Sequence, residues 1–220
     1  MDVPVKPVGS DRFPRRRQRA RATRRRVLDA ARELFVERGY VQTTIAAIAQ
    51  CADVAPETVY ATFGSKRALL SELVDVAISG DPGDPPLLEQ DWVRDLRDEP
   101  DAHRRVRTLA GRGRAILERR AAIDEVVRGA AAADPEIAEL WRRGRVQRFA
   151  GQRALAAIVI GGAVAPDDAE VDRPADVLYA IGSPEVYRLL VMDRGWTPGQ
   201  FERWYAETLE RLLLAPVAPG

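Results

Sequence analysis

The stretch TTIAAIAQCADVAPETVYATFGSKRALL, Thr43 to Leu70, reads as two short helices joined by a tight turn. Thr44 is a cap for a helix that sets Ile48, Ala49 and Ala52 on one inner face. Asp53 follows, one of the few residue types besides glycine that accept a left-handed backbone, and Val54 can plug the corner so formed. Pro56 suits the first position of a second helix, because the amide hydrogen it lacks would be unpaired there anyway.

That second helix is expected to run to about Phe63, with Val59 and Phe63 facing the core and Glu57, Thr58, Tyr60 and Ala61 turned outward. In a helix-turn-helix the second helix enters the major groove, where its first residues meet base edges and flanking groups hold phosphates. Thr58 can bond a base or touch a thymine methyl, and Glu57 can accept from a cytosine amino group. Tyr60 and Lys66 read as phosphate anchors, and Ser65 as the cap of a following helix whose free amides favour a phosphate nearby. With Thr43, Thr44 and Pro56, the candidate DNA contacts are Thr43, Thr44, Pro56, Glu57, Thr58, Tyr60, Ala61, Ser65 and Lys66.

Working backward, Thr23 to Tyr40 (TRRRVLDAARELFVERGY) carries an apolar stripe of Val27, Ala31, Leu34 and Phe35, with Gly39 as the stop. Helix, glycine, Thr43-Thr44, helix, turn, helix and the string Tyr60-x-x-Phe63-x-Ser65-Lys66 then occur in order. Over roughly residues 23 to 80 the chain resembles the tetracycline-repressor-like (TetR) transcriptional regulators. It departs from their pattern at Asp53, where the family usually has glycine, and at Ala55, where it often has serine. Ala61 and Thr62 also replace residues that are often larger, so the operator sequence does not follow.

The formal net charge of +1 hides an asymmetry. Up to Arg67 there are 14 basic and 7 acidic residues, and beyond it 20 and 26, so a basic head precedes an acidic body. Much of the excess lies between Arg12 and Arg26, after Pro4, Pro7 and Gly9, and residues 1–22 are read as a disordered basic arm. Such an arm can lie along phosphates or stay a solvated tail. No signal peptide or apolar run of about 18 residues is present, so no membrane is expected and the chain is read as cytoplasmic.

Chemistry other than binding finds little support. Cys51 is the single cysteine and is expected to be buried as a small apolar group; with one histidine, His103, there is no metal cluster and no nucleophile and base pair. Neither a cofactor nor an enzyme activity is expected.

Beyond a break at about 79–88 (Gly80, Pro82, Gly83, Pro85, Pro86) the pattern is helical, over 89–99, 101–119, 121–132, 135–160, 174–194 and 198–214. Asp101 and Asp134 are candidate caps, and Thr197 with Gln200 forms a capping box. The reading is all-α, with a three-helix DNA-binding unit at 23–80 and a helical body at 81–220.

The last two apolar-striped helices, kinked at Gly182 and Pro184, can close a monomeric bundle or pair with a second copy. The family resemblance implies the second: a homodimer through Tyr187, Leu190, Val191, Phe201, Trp204, Tyr205, Leu209 and Leu212, reading a palindromic operator in double-stranded DNA. It also implies a small-molecule effector in the body that changes the spacing of the heads, with repression as the default direction. Trp141 and Arg145, four apart on one helix, are candidate ligand contacts, with Trp92, Phe149 and Tyr179 behind them. The rival readings are a constitutive DNA-binding protein without effector, and an all-helical metabolite-binding protein or enzyme.

Overall fold

The computed structural model describes residues 12–161 and 167–214, and every regular element among them is helical. Helix α1 (Arg12–Gln42) is followed by α2 (Ile45–Cys51), α3 (Pro56–Phe63) and α4 (Lys66–Ser79). After a loop with a short 3-10 turn at Leu87–Glu89 come α5 (Asp91–Asp98), α6 (Ala102–Ala131) and α7 (Pro135–Ile160). The chain ends with α8 (Asp172–Ile181), α9 (Pro184–Tyr187), a π-helical turn (Arg188–Asp193) and α10 (Pro198–Leu213).

The punctuation is local chemistry. Gly39 breaks α1 at φ +76°, and Asp53, at φ +52°, is the one non-glycine residue with positive φ among those described. Thr44, Ser65, Asp101 and Asp134 each accept a backbone N–H at the start of α2, α4, α6 and α7, and the Thr197–Gln200 capping box is closed in both directions.

Four expectations are corrected. Residues 12–22, read as an unstructured arm, continue α1 as helix, since nothing between Arg15 and Arg38 breaks it; the rest of that arm lies outside the described residues. The segments 101–119 and 121–132 are one helix, because Arg120 is buried and paired with Asp124 one turn on. The 174–194 segment is three pieces, parted at Gly182, where Ser183 caps a new helix. Cys51 is exposed, because Ile45, Ile48, Ala49 and Ala52 fill the inner side of α2.

Two apolar cores result. One gathers Val27, Leu34 and Phe35 of α1 with α2, α3 and α4, and it takes in Ile123, Val127 and Ala130 of α6 and Ile137 of α7. The other joins α5, the first half of α6, the end of α7, α8 and α10 around Val106, Leu178 and Phe201. Helix α6 is common to both, so the reading unit stands on the body through shared packing.

Candidate nucleic-acid interface

Three short elements present the outer face of the head. Helix α2 turns into α3 through Asp53, and the Val54 amide donates to the Ala49 carbonyl at 3.0 Å while its side chain packs on the core. Helix α3 has Pro56 in its first turn and no side-chain cap at Ala55, so at eight residues it owes its shape to the burial of Val59 and Phe63. Gly64 ends it at φ +77°, donating to the Tyr60 carbonyl at 2.8 Å.

The outer face carries Pro56, Glu57, Tyr60 and Ala61, all exposed, with Thr58 half-buried. Tyr60 is 54% exposed, and its hydroxyl has no hydrogen-bond partner among the described residues. Thr44 lies exposed at the start of α2, where its hydroxyl accepts the Ala47 amide at 3.1 Å. Ser65 does the same for Ala68 at the start of α4.

Two expected DNA contacts serve inside the head instead. Thr43 is 1% exposed, its hydroxyl shared between the Leu34 and Gly39 carbonyls at 3.1 and 2.8 Å. Lys66 folds its ammonium over the Tyr40 ring, 4.3 Å from the centroid, and donates to the Tyr40 and Thr43 carbonyls at 2.8 and 2.9 Å. Desolvation at that site lowers its pKa, against the opposing pull of Asp134. Together they knot the end of α1 to the start of α4. A residue to which the sequence reading gave no role in the head completes the frame: Arg24 pairs with Glu72, donates to the Thr62 carbonyl at 3.4 Å and lies 4.8 Å from the Phe63 ring centre. Its spacing to Glu72, 48 residues on, gave no local signal.

Of the residues read as a dimer face, Tyr187, Phe201, Tyr205 and Leu209 are buried in the chain's own core, Tyr187 against Phe201 at 4.9 Å. An apolar stripe shows that something covers it, and here the cover is α6 and α8 of the same chain. Leu190, Val191 and Trp204 are half-buried and Leu212 is exposed, with Leu189 and Met192 exposed beside them in sequence.

A cleft of about 680 Å³, partly open to solvent, lies between α4, the 79–89 loop, α5, α6, α7, the Gly182–Pro184 junction and α10. Leu87, Trp92, Leu109, Leu117 and Leu155 supply apolar wall. Arg120, 7% exposed, reaches it with its Nε bound to Asp124 at 2.7 Å; burial raises the Asp124 pKa while the guanidinium lowers it. Tyr205 also lines it, and burial raises the pKa of its phenol. Trp141 and Arg145 are not among the lining residues: Trp141 packs against the head core, and Arg145 lies exposed with its Nε 3.3 Å from the Tyr179 hydroxyl. Of the secondary candidates, Trp92 does line it. Among the described residues no group of three or more possible metal ligands occurs, and no helix is long and apolar enough to cross a membrane.

Residues 27–73 match the sequence model of the family described as bacterial regulatory proteins, tetR family. The HTH-type transcriptional regulator UidR of Escherichia coli (strain K12) is 40% identical over 55 residues, 25% of this chain and 28% of that protein. The HTH-type regulator YvkB of Bacillus subtilis is 41% identical over 54 residues, 24% and 29% of the two chains. The match thus spans less than a third of the length of these relatives. In fold the chain is similar to a TetR-family transcriptional regulator from Mesorhizobium loti, at TM-score 0.63 and 19% identity over 89% of this chain and 97% of the other. It is similar also to a transcriptional regulator from Saccharomonospora viridis solved in complex with choline, at TM-score 0.58 and 21% identity over 85% and 95%. Residues 27–73 thus carry the helix-turn-helix of the tetR family of bacterial regulatory proteins, and along most of its length the chain has the fold of solved TetR-family regulators.

Proposed function

We propose that the protein is a ligand-responsive transcriptional repressor that acts in the cytoplasm and binds a palindromic operator as a homodimer. In this reading residues 23–80 are the DNA-reading head and 81–220 the effector-binding and dimerisation body. The observation that carries it is α3: a short helix pinned from behind by Val59 and Phe63, with Glu57, Tyr60 and Ala61 free on its outer face. One such helix makes few base contacts, each worth about 1–3 kcal/mol, so a twofold pair is what gives useful discrimination. Leu189, Met192 and Leu212, exposed near the end of the chain, support a pairing surface there. The cavity supports an effector: it touches Asp75 and Ser79 of α4, so a ligand that prefers one placement of α4 shifts the heads, with about 1–3 kcal/mol of coupling being typical.

The test is selection of bound fragments from the source genome with purified protein, followed by displacement with a panel of metabolites. The expected result is enrichment of one inverted repeat, with half-sites about one helical turn or a multiple apart, bound by a dimer and released by one chemical class. Enrichment without any release points to a constitutive DNA binder; no enrichment of any sequence overturns the reading.

A further inference from the structure

We propose that the amino-terminal part of α1 is a second DNA-binding surface, an arginine-studded helical rod that grips backbone phosphates beside the stretch read by α3. The inference rests on the DNA-binding reading above and adds to it a contact that the helix-turn-helix does not supply.

The rod is helical from Arg12, and from Arg17 on, where side chains are described, Val27 is the first buried residue. At 1.5 Å per residue, the part before Val27 is about 22 Å long. Residues 17–22 are all exposed. Tertiary contact begins at Arg24 and Arg25, which pair with Glu72 and Asp81. Arg17, Arg19, Arg21 and Arg26 have no hydrogen-bond or ion-pair partner among the described residues. Arg17 and Arg21 stand at i,i+4, a like-charge spacing that weakens an isolated helix. In the body Arg107, Arg114, Arg128 and Arg142 each hold a carboxylate of the same chain, and the arginines without one, such as Arg97, Arg104, Arg194, Arg203 and Arg211, are spread along it rather than gathered on one short segment. Arg17, Arg19, Arg21 and Arg26, unpaired and close together, give the rod a dense positive charge that a polyanion would satisfy.

Position and composition indicate which polyanion. Arg24 reaches the Thr62 carbonyl and the Phe63 ring while Arg25 pairs with Asp81, so the rod leaves the head between the end of α3 and the loop after α4. A rod running from that point is placed to meet the sugar-phosphate backbone flanking the groove. At 100° per residue Arg17 and Arg21 lie on one side and Arg19 and Arg26 on the opposite one, so a strand on either side meets two. A lipid surface fits less well, because Arg17 to Arg26 (RQRARATRRR) offers no large apolar side chain to enter an interface.

The experiment uses the full chain with Arg17, Arg19, Arg21 and Arg26 changed together to Gln, and in a companion variant to Lys. Affinity for an operator duplex and a random duplex is measured across salt concentrations. Each phosphate neutralised contributes about 0.9 to the slope of log K against log salt, so the Gln variant should lose about 2–4 from that slope. Its affinity should fall by the same factor on both duplexes, the Lys variant should keep the wild-type slope, and helical content should hold in all three proteins. An unchanged slope in the Gln variant overturns the proposal, as does equal loss in the Lys variant. The dependence on the operator-reading proposal separates cleanly: wild-type protein that binds every duplex equally, with the slope still set by these arginines, keeps the rod and sinks operator recognition. Wild-type protein that binds no duplex sinks both.

Discussion

Helices α3 and α10 both open on a proline in the first turn, and there the likeness ends. Helix α10 has sixteen residues, a closed capping box and three core anchors, Phe201, Tyr205 and Leu209. Helix α3 has eight residues, no side-chain cap, and two anchors. A cap is worth about 1 kcal/mol and a fully buried large side chain about 1.5–3, so α10 carries its own stability while α3 borrows from its surroundings. The loan comes from the Thr43 and Lys66 knot at its back and from Arg24 at its end. A helix whose outer side must stay open to a partner can be fixed only from the sides it does not offer.

That contrast can be broken most directly in the two cores. Phe201→Ala removes a ring with no exposure that touches Tyr187, Trp204 and Tyr205, and should cost about 3–5 kcal/mol in urea unfolding. Phe63, 8% exposed, should cost less on the same change. Equal losses would mean that α3 is no less anchored than α10.

Lys66→Met comes next, because it deletes two charge-assisted bonds to carbonyls and should destabilise by about 2 kcal/mol. It should leave the salt slope of DNA binding at its wild-type value. A slope reduced by about one with stability intact would return Lys66 to the role of phosphate anchor.

Capping sharpens the comparison on a smaller scale. Thr197→Ala should cost about 1 kcal/mol, whereas Ala55→Ser should gain about 0.5–1, since Ala55 already has the extended backbone of a cap at φ −72° and ψ 144°. A loss at Ala55→Ser would show that α3 is shaped by its partner face rather than by its own ends. The smallest effect on folding belongs to Tyr60→Ala, under about 0.5 kcal/mol because the ring is mostly in solvent. Operator affinity should fall clearly in the same variant, and unchanged affinity removes Tyr60 from the interface.

The sequence was most readable where its signals are local. Thr44, Ser65, Asp101, Asp134 and Thr197 act on amides two or three residues away, and Gly39 and Asp53 act on their own backbone. The anchors Val59 and Phe63 were legible from helical period alone. What covers an apolar face was not, because period reports that a side is buried without naming its neighbour. Tyr187, Phe201, Tyr205 and Leu209 were therefore assigned to a partner when α6 and α8 of the same chain enclose them. Lys66 misled for a related reason. An ammonium following a reading helix resembles a phosphate ligand until the Tyr40 and Thr43 carbonyls, 26 and 23 residues away, are seen to take it. The cavity was illegible in kind, since its wall is drawn from separate stretches of chain between Asp75 and Tyr205, and Trp141 packs against the head core instead.

Helix α6 is the keel of the molecule. Its forward residues, Val106 and Leu109, sit in one hull and its aft residues, Ile123 and Val127, in the other. Neither half can drift without dragging that timber along, so any swing transmitted to the groove-reading end must tilt a helix of thirty residues rather than flex a joint at Gly80. Calorimetry should accordingly find one melting event, and the first eighty residues expressed alone should lack the planking that keeps them upright.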